Sequence, residues 1–222
     1  MKKTIIPIIF ITSVFIILIL VFFGPWYTLS IDYNIIGIKA NYNQIIYLDS
    51  IDLSGKAGGF DFTQTIPIET MDAEGISNSY IEFIQAIKYL IVISIISSLI
   101  GLIGIFGVNF NSDKKQFFKK LGVIFCIITF CLTIFTVIYF IVGWNSLENM
   151  IQQNIDNFFD KIGIQNPFNT NLGFWDTRIK SNSSFSMGPG YAWYLLIIAG
   201  VFSWMQSFFI NRYQIGKSNI KD

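Results

Sequence analysis

The sequence predicts an all-α membrane protein, a four-transmembrane-helix bundle with an extracellular cap of a small antiparallel β-sheet and an amphipathic helix. Composition is the first reason, because 53% of residues are hydrophobic and 13% are charged, against roughly 25% charged in soluble domains. The second is that the apolar residues gather in four charge-free runs, each near the roughly 20 residues that cross a bilayer. Between the runs lie two long segments with strand-like and helical patterns.

The apolar runs fall within a single integral membrane domain, residues 1–222. They predict transmembrane helices over residues 5–23, 84–110, 121–142 and 191–210. Backbone groups in lipid must be hydrogen-bonded within their own segment, so apolar runs of this length are expected to be helical. The second run is charge-free from Tyr89 and is extended to residue 84, because Lys88 can snorkel to the headgroups. External loops are then expected over about 24–80 and 143–190.

The first run ends in "FFGPWYTLS", which raises the alternative of a cleaved signal peptide. Two N-terminal lysines fit a signal, but the apolar run is longer than the usual 7–15 residues and has no small-residue cleavage site. Gly24 and Pro25 end a helix well. Trp26 and Tyr27 then suit the membrane interface. A retained helix explains this stretch better than a signal.

The distribution of basic residues predicts the orientation in the membrane. Nine lie at one set of helix ends: Lys2, Lys3, Lys114, Lys115, Lys119, Lys120, Arg212, Lys217 and Lys221. The two long loops together hold five basic residues and twelve acidic ones. Because basic residues favour the cytoplasmic side, we expect a plasma-membrane protein with both termini in the cytoplasm. Aromatic residues mark the opposite ends of the runs: Trp26, Trp144, Tyr191 and Trp193.

Loop one has the period of a β-strand. In "WYTLSIDY", apolar and polar residues alternate, as in a half-buried strand. "IIGIKANY" and "QIIYLDSIDL" are further β-branched stretches, and "SGKAGG" looks like a break after them. A small antiparallel sheet over the outer mouth of the bundle is therefore expected.

Loop two begins with the period of a helix. In "NSLENMIQQNIDNFFDKIG", apolar residues recur at helical spacing, with Asn145 or Ser146 as a cap and Gly163 as a stop. The apolar face either packs under the loop-one sheet or lies on the membrane surface. The rest of the loop is rich in turn formers, with one aromatic pair at Phe174 and Trp175. "GPG" at residues 188–190 predicts a turn before the last apolar run.

The sequence offers no catalytic, cofactor or metal site. The apolar runs lack ionisable residues, which weighs against proton relays and ion-coupled transporters, and no phosphate loop, nucleophile elbow or zinc motif occurs. The acidic pairs Asp49/Asp52 and Asp72/Glu74 are either solvated or a calcium site, and they lack the EF-hand spacing. A net charge of +1 does not indicate the strongly basic surface that is typical of nucleic-acid-binding proteins. We expect no enzyme activity and no nucleic-acid partner.

Several residues are candidates for packing or modification. Ser97, Gly101 and Gly104 give the small-residue spacing that lets helices approach closely, either within the bundle or between copies in a homo-oligomer. Cys126 and Cys131 read as small apolar residues. Asn182 begins the sequon "NSS", a candidate for glycosylation.

The order of elements resembles the claudin-like tetraspan architecture: span, long outer loop with strands and an aromatic start, span, short basic turn, span, second outer loop, span. Trp26 corresponds to the first tryptophan of the claudin W…G-L-W motif. The second tryptophan and the two loop cysteines of that motif have no counterpart here. The resemblance implies a protein that works through its outer face and its neighbours in the membrane.

We therefore expect a non-enzymatic, multi-pass membrane protein that acts in protein–protein interaction or in surface and membrane organisation through its cap. The alternative is a small pore, carrier or accessory subunit of a transport complex, with acidic loops attracting cations. Four aromatic residues are candidates for partner binding, unless they form core: Trp26, Tyr27, Phe174 and Trp175. The expected partners are the lipid bilayer and either a protein at the external face or a second copy.

Overall fold

The computed structural model describes residues 2–35, 38–57, 59–68, 70, 78–110, 114–161, 163, 165–166, 174, 176–180 and 183–215. The helices are α1 (Lys2–Phe23), α2 (Asn78–Phe110), α3 (Lys115–Val142), α4 (Trp144–Lys161) and α5 (Tyr191–Ile215). The strands are β1 (Tyr27–Ile35), β2 (Ile38–Ile46), β3 (Ser50–Ala57), β4 (Phe60–Pro67), β5 (Asp176–Lys180) and β6 (Ser183–Pro189).

The chain forms two compact units, which are named here for their main elements. The helical unit comprises Met1–Phe22, Lys88–Ile138 and Tyr194–Asp222. The sheet unit comprises Phe23–Ile87 and Tyr139–Trp193. The sheet unit holds all six strands and α4.

The predicted four-helix membrane bundle is wrong. Among the described residues, three helices are long and apolar enough to cross a membrane: Tyr80–Val108, Lys115–Val142 and Tyr191–Ile210. The apolar part of α1, Ile8–Phe23, is a shorter helix. At 1.5 Å per residue it spans about 24 Å, less than the roughly 30 Å of hydrocarbon. Three such helices still fit a membrane protein, but the tetraspan arrangement is unsupported.

The β-sheet is much larger than predicted. It has six antiparallel strands in the order β4-β3-β2-β1-β6-β5, and two of them come from loop two. β6 pairs with β1 from Tyr27↔Pro189 to Tyr33↔Ser183. The Ser- and Gly-rich segment around Ser183–Pro189, read from sequence as turns and punctuation, is therefore a strand. "SGKA" likewise belongs to β3 and is not a break; the turn follows it, with Gly59 at φ +91°.

Alternation along the strands builds the core of the sheet unit. Leu29 and Ile31 in β1 are buried, as are Phe185 and Met187 in β6. The amphipathic segment of loop two is α4, and its apolar face is buried: Leu147, Met150, Ile151, Ile155, Phe158 and Phe159. Ring contacts join this helix to the sheet, with Tyr33 5.7 Å from Phe159. Packing against the sheet, and not lying on a membrane surface, accounts for the apolar face of α4.

The helical unit is held by close backbone approach and by hydroxyl hydrogen bonds. A Cβ atom at Gly104 in α2 would lie 2.6 Å from the backbone nitrogen of Gly122 in α3. Thr129 Oγ1 donates to Ser97 Oγ at 3.0 Å, and Ser203 Oγ donates to the Cys126 carbonyl at 2.7 Å. Small side chains therefore let α2, α3 and α5 pack closely, as expected where lipid removes the hydrophobic driving force.

Candidate functional site

The two faces of the sheet have different chemistry. One face packs under α4. The other carries a row of uncharged hydroxyl and amide residues across all six strands: Thr63, Ser54, Asn43, Ser30, Ser186 and Thr177. Antiparallel sheets commonly leave one face to solvent, so this polar face by itself needs no special function. The candidate site lies on the α4 side.

A groove opens between α4 and strands β2, β3 and β4. Its volume is about 180 Å³. Its floor is apolar and aromatic: Tyr42, Leu53, Phe62, Ile66 and Phe158. Its walls are polar: Gln64, Gln153, Asn154, Asn157 and Lys161. Few convergent polar groups over an aromatic base are typical of a binding site.

Three rings form the aromatic part of the floor. The Tyr42 and Phe158 rings lie 4.9 Å apart, Phe62 lies 6.1 Å from Phe158, and Tyr42 lies 6.5 Å from Phe62. The interplanar angles of these three pairs are, in the same order, 34°, 42° and 37°, so no two of the rings are perpendicular. Gly55 makes this packing feasible, because a Cβ atom there would collide with Phe62 and would lie 3.0 Å from Phe158.

The walls carry amide groups that bond to no other residue in the described part of the chain. Gln64, Gln153 and Asn157 are exposed, and within the described part of the chain no hydrogen bond engages their side chains. Asn154 Nδ2 donates to Met150 Sδ at 3.1 Å. Lys161 Nζ lies 5.9 Å from the centroid of Phe62, within cation–π range. The groove therefore presents several donors and acceptors beside the half-buried ring of Phe62.

A buried hydrogen-bonded chain supports the floor from beneath. The Tyr42 hydroxyl donates to Gln44 Oε1 at 3.0 Å, and Gln44 Nε2 donates to Met150 Sδ at 3.7 Å. Burial raises the pKa of the Tyr42 phenol well above its ordinary value. This phenol stays protonated at neutral pH, and its hydrogen bond positions Gln44.

Two of the four aromatic residues expected to bind a partner are core. Trp26 and Tyr27 are each 0% exposed. The Tyr27 hydroxyl donates to the Phe174 carbonyl at 2.6 Å, and the half-buried Phe174 ring lies 5.3 Å from Trp144. Trp175 lies outside the described residues. Neither Trp26 nor Tyr27 is accessible to a partner in this structure.

The other residues singled out from sequence fall into two groups. Ser97, Gly101 and Gly104 make contacts with α1 and α3 of the same chain: Ser97 Oγ donates to the Phe125 carbonyl at 3.2 Å, and Gly101 faces Ile11. Asn182, Asp72 and Glu74 lie outside the described residues. Among the residues that are described, no three acidic or cysteine side chains come together as a metal site.

The groove residues were missed by reading the sequence. Phe62 lies in "FDFTQTIP", where Phe60 and Phe62 alternate with polar residues. This alternation is typical of a β-strand and could have predicted β4. Phe158 had been assigned to the apolar face of the loop-two helix. What the sequence does not show is that Phe62 stays half-buried and Gln64 exposed on the α4 side of β4.

The chemistry of the groove suits recognition. Amide side chains donate and accept hydrogen bonds but do not titrate, and aromatic rings offer flat apolar contact.

No protein-family model matches the sequence, and no curated protein is significantly similar to it.

Proposed function

We propose that the protein is a non-enzymatic, multi-pass membrane protein that acts by binding a partner at its sheet unit, in protein–protein interaction or in organisation of the membrane surface. The single observation that carries the proposal is the groove between α4 and β2–β4, with its aromatic floor and unused amides. Groups of this kind bind without reacting. The groove lies beside β4, the edge strand of the sheet, so a partner that is larger than the groove can also reach it.

The location of the protein is part of the same proposal. We place it in the plasma membrane with the sheet unit outside the cell and the C-terminal end of α5 in the cytoplasm, because three crossings put the two ends of the chain on opposite sides. The start of α3 supports this orientation, because Lys114 precedes the helix, Lys115, Lys119 and Lys120 lie in its first two turns, and basic residues favour the cytoplasmic side. The acid-rich segments belong to the sheet unit.

Photo-crosslinking in intact membranes tests the proposal. Benzoylphenylalanine replaces Gln153 in the groove wall, and in a matched variant it replaces Asp32 on the uncovered sheet face. We expect a discrete adduct from position 153 and none from position 32. We also expect Phe62→Leu to weaken the adduct from position 153, because that substitution removes a ring from the floor at nearly constant volume.

Two outcomes would contradict binding at the groove. One is equal labelling from positions 153 and 32, which indicates random collision. The other is an adduct from position 153 that Phe62→Leu leaves unchanged. Phe117→Leu serves as the control, since Phe117 is 60% exposed in α3 of the helical unit and does not line the groove.

A further inference from the structure

The geometry points to a pyranose sugar ring as the ligand of the groove. This inference rests on the proposed function, since it names the chemical class that the same site recognises. Three properties of the groove carry it: the size of the cavity, the pairing of rings with amides, and the balance of donors and acceptors around the rim.

Size limits the ligand to one small ring. The cavity has a volume of about 180 Å³. Drug-sized ligands occupy about 300–1,000 Å³, so a nucleotide or a folded peptide would not fit inside. A single six-membered ring with its substituents matches the space.

The floor selects a ligand that has an apolar face. The half-buried Phe62 ring presents its surface to the groove, and the buried rings of Phe158 and Tyr42 pack behind it at 6.1 Å and 6.5 Å. A pyranose carries axial C–H groups on one face, and these pack on an aromatic ring as other apolar groups do. Leu53 and Ile66 extend the apolar floor.

The polar wall residues favour a ligand that carries hydroxyl groups around its ring. Each amide of Gln64, Gln153 and Asn157 offers one acceptor oxygen and two N–H donors, which matches a hydroxyl group that both donates and accepts. Lys161 adds N–H donors at the same rim. A purely apolar ligand would leave these groups without partners on binding, which costs affinity.

The groove would accept the ring from either of two sources. The ring is either a free sugar or one residue of a glycan carried by a partner surface. Because the groove is open on one side, it can hold the end of a longer chain while only one ring contacts the floor. Recognition of the ring itself is the same in both cases.

Saturation-transfer NMR on the full-length protein in lipid nanodiscs tests the inference. The probes are methyl glycosides of glucose, galactose, mannose and N-acetylglucosamine, together with glucuronic acid. We expect saturable transfer to the C–H protons of at least one probe, with a millimolar dissociation constant typical of a ligand this small. Phe62→Leu should weaken binding about tenfold.

A second variant separates loss of the site from loss of the fold. Gln153 is exposed on α4, so Gln153→Ala should leave the thermal unfolding of the protein unchanged and weaken binding about three- to tenfold. Thr63→Ala, on the uncovered face of β4, should bind as the unmodified protein does. Absence of transfer to every probe overturns the inference, and so does transfer that both groove variants leave unchanged.

The crosslinking and NMR results together distinguish the two proposals. A groove-dependent adduct without sugar binding would overturn the sugar inference and leave the proposed function standing. Sugar binding with an adduct that stains for carbohydrate identifies a glycan on a partner as the source. Sugar binding without such an adduct identifies a free sugar.

Discussion

The ring of Phe158 in α4 lies 4.9 Å from the ring of Tyr42 in β2, at an interplanar angle of 34°. This contact joins the helix of the second long loop to the sheet of the first. It fixes α4 on one face of the sheet and sets the floor of the groove beside it. The stability of the floor is therefore linked to the ability of the groove to bind.

Gly55 should be required for the floor. In Gly55→Ala the new methyl group collides with Phe62 and approaches Phe158, so the rings must shift; overpacking of this kind costs about 1–3 kcal/mol. We expect a lower unfolding temperature and weaker ligand binding. The neighbouring variant Ser54→Ala, which faces the other side of the sheet, should change neither. Normal binding by Gly55→Ala would show that the ring arrangement does not matter.

Tyr42 and Gln44 should be energetically coupled. Both are buried, and Gln44→Leu leaves the Tyr42 hydroxyl without its acceptor, which costs about 1–3 kcal/mol. The double variant Tyr42→Phe/Gln44→Leu removes both polar groups and should cost less than the sum of the single variants. Denaturant unfolding of all four proteins measures this. Additive effects would mean that the hydrogen bond contributes nothing.

Stability should fall in alkaline solution. Burial raises the pKa of the Tyr27 and Tyr42 phenols, and for Tyr27 the Asp176 carboxylate adds to the effect. Unfolded tyrosine titrates near about pH 10. Above that pH the unfolded state has released protons that the folded state still holds, so the stabilisation is full below about pH 10 and is lost as pH rises.

Unfolding measured from about pH 8 to pH 11.5 checks the alkaline loss of stability. Tyr27→Phe and Tyr42→Phe should each flatten the decline, because each removes one phenol that must stay protonated. Tyr191→Phe is the control, since Tyr191 is 56% exposed. An unchanged decline in both core variants would assign the alkaline effect to other groups.

Gly104 and Gly101 should differ in their tolerance of alanine. A Cβ atom at Gly104 would lie 2.8 Å from the Cα of Gly122, which is backbone and cannot move without separating the helices. At Gly101 it would meet the end of the Ile11 side chain at 3.2 Å, which can rotate away. We expect Gly104→Ala to lower thermal stability in detergent by several degrees, and Gly101→Ala to have little effect. Equal effects would argue against close α2–α3 packing.

The sequence predicted the elements that depend on local pattern. The apolar runs of α2, α3 and α5 are long enough to be recognised by length and hydropathy alone. The helical spacing of Leu147, Ile151 and Ile155 predicted α4 in the same way. The N-terminal run was predicted to cross the bilayer and does form α1, but its apolar helix, Ile8–Phe23, is shorter than the other three.

The full sheet was not predicted because its strands depend on distant partners. β6 alternates Ser183, Phe185 and Met187 inward, but Ser, Gly and Pro lower β-propensity and favour turns. Pairing with β1 overrides that preference. Gly55 was read as part of a break for the same reason, although a glycine within a strand often marks a close approach.

The groove could not be predicted because it is a property of packing. Phe62 and Gln64 lie on the helix side of β4, and whether they are covered depends on where α4 ends relative to the edge of the sheet. No local pattern encodes that position. The aromatic residues chosen from sequence, Trp26 and Tyr27, were instead core residues at the start of β1.

An experimental structure of the full-length protein, with the strongest-binding pyranose probe at saturation, tests the central claim most directly. The account predicts the sugar in the groove, its C–H face on Phe62 and its hydroxyl groups within hydrogen-bond distance of Gln64 and Gln153. A groove that stays empty at saturation would contradict it, as would a sugar bound on the uncovered row of Ser30 and Asn43.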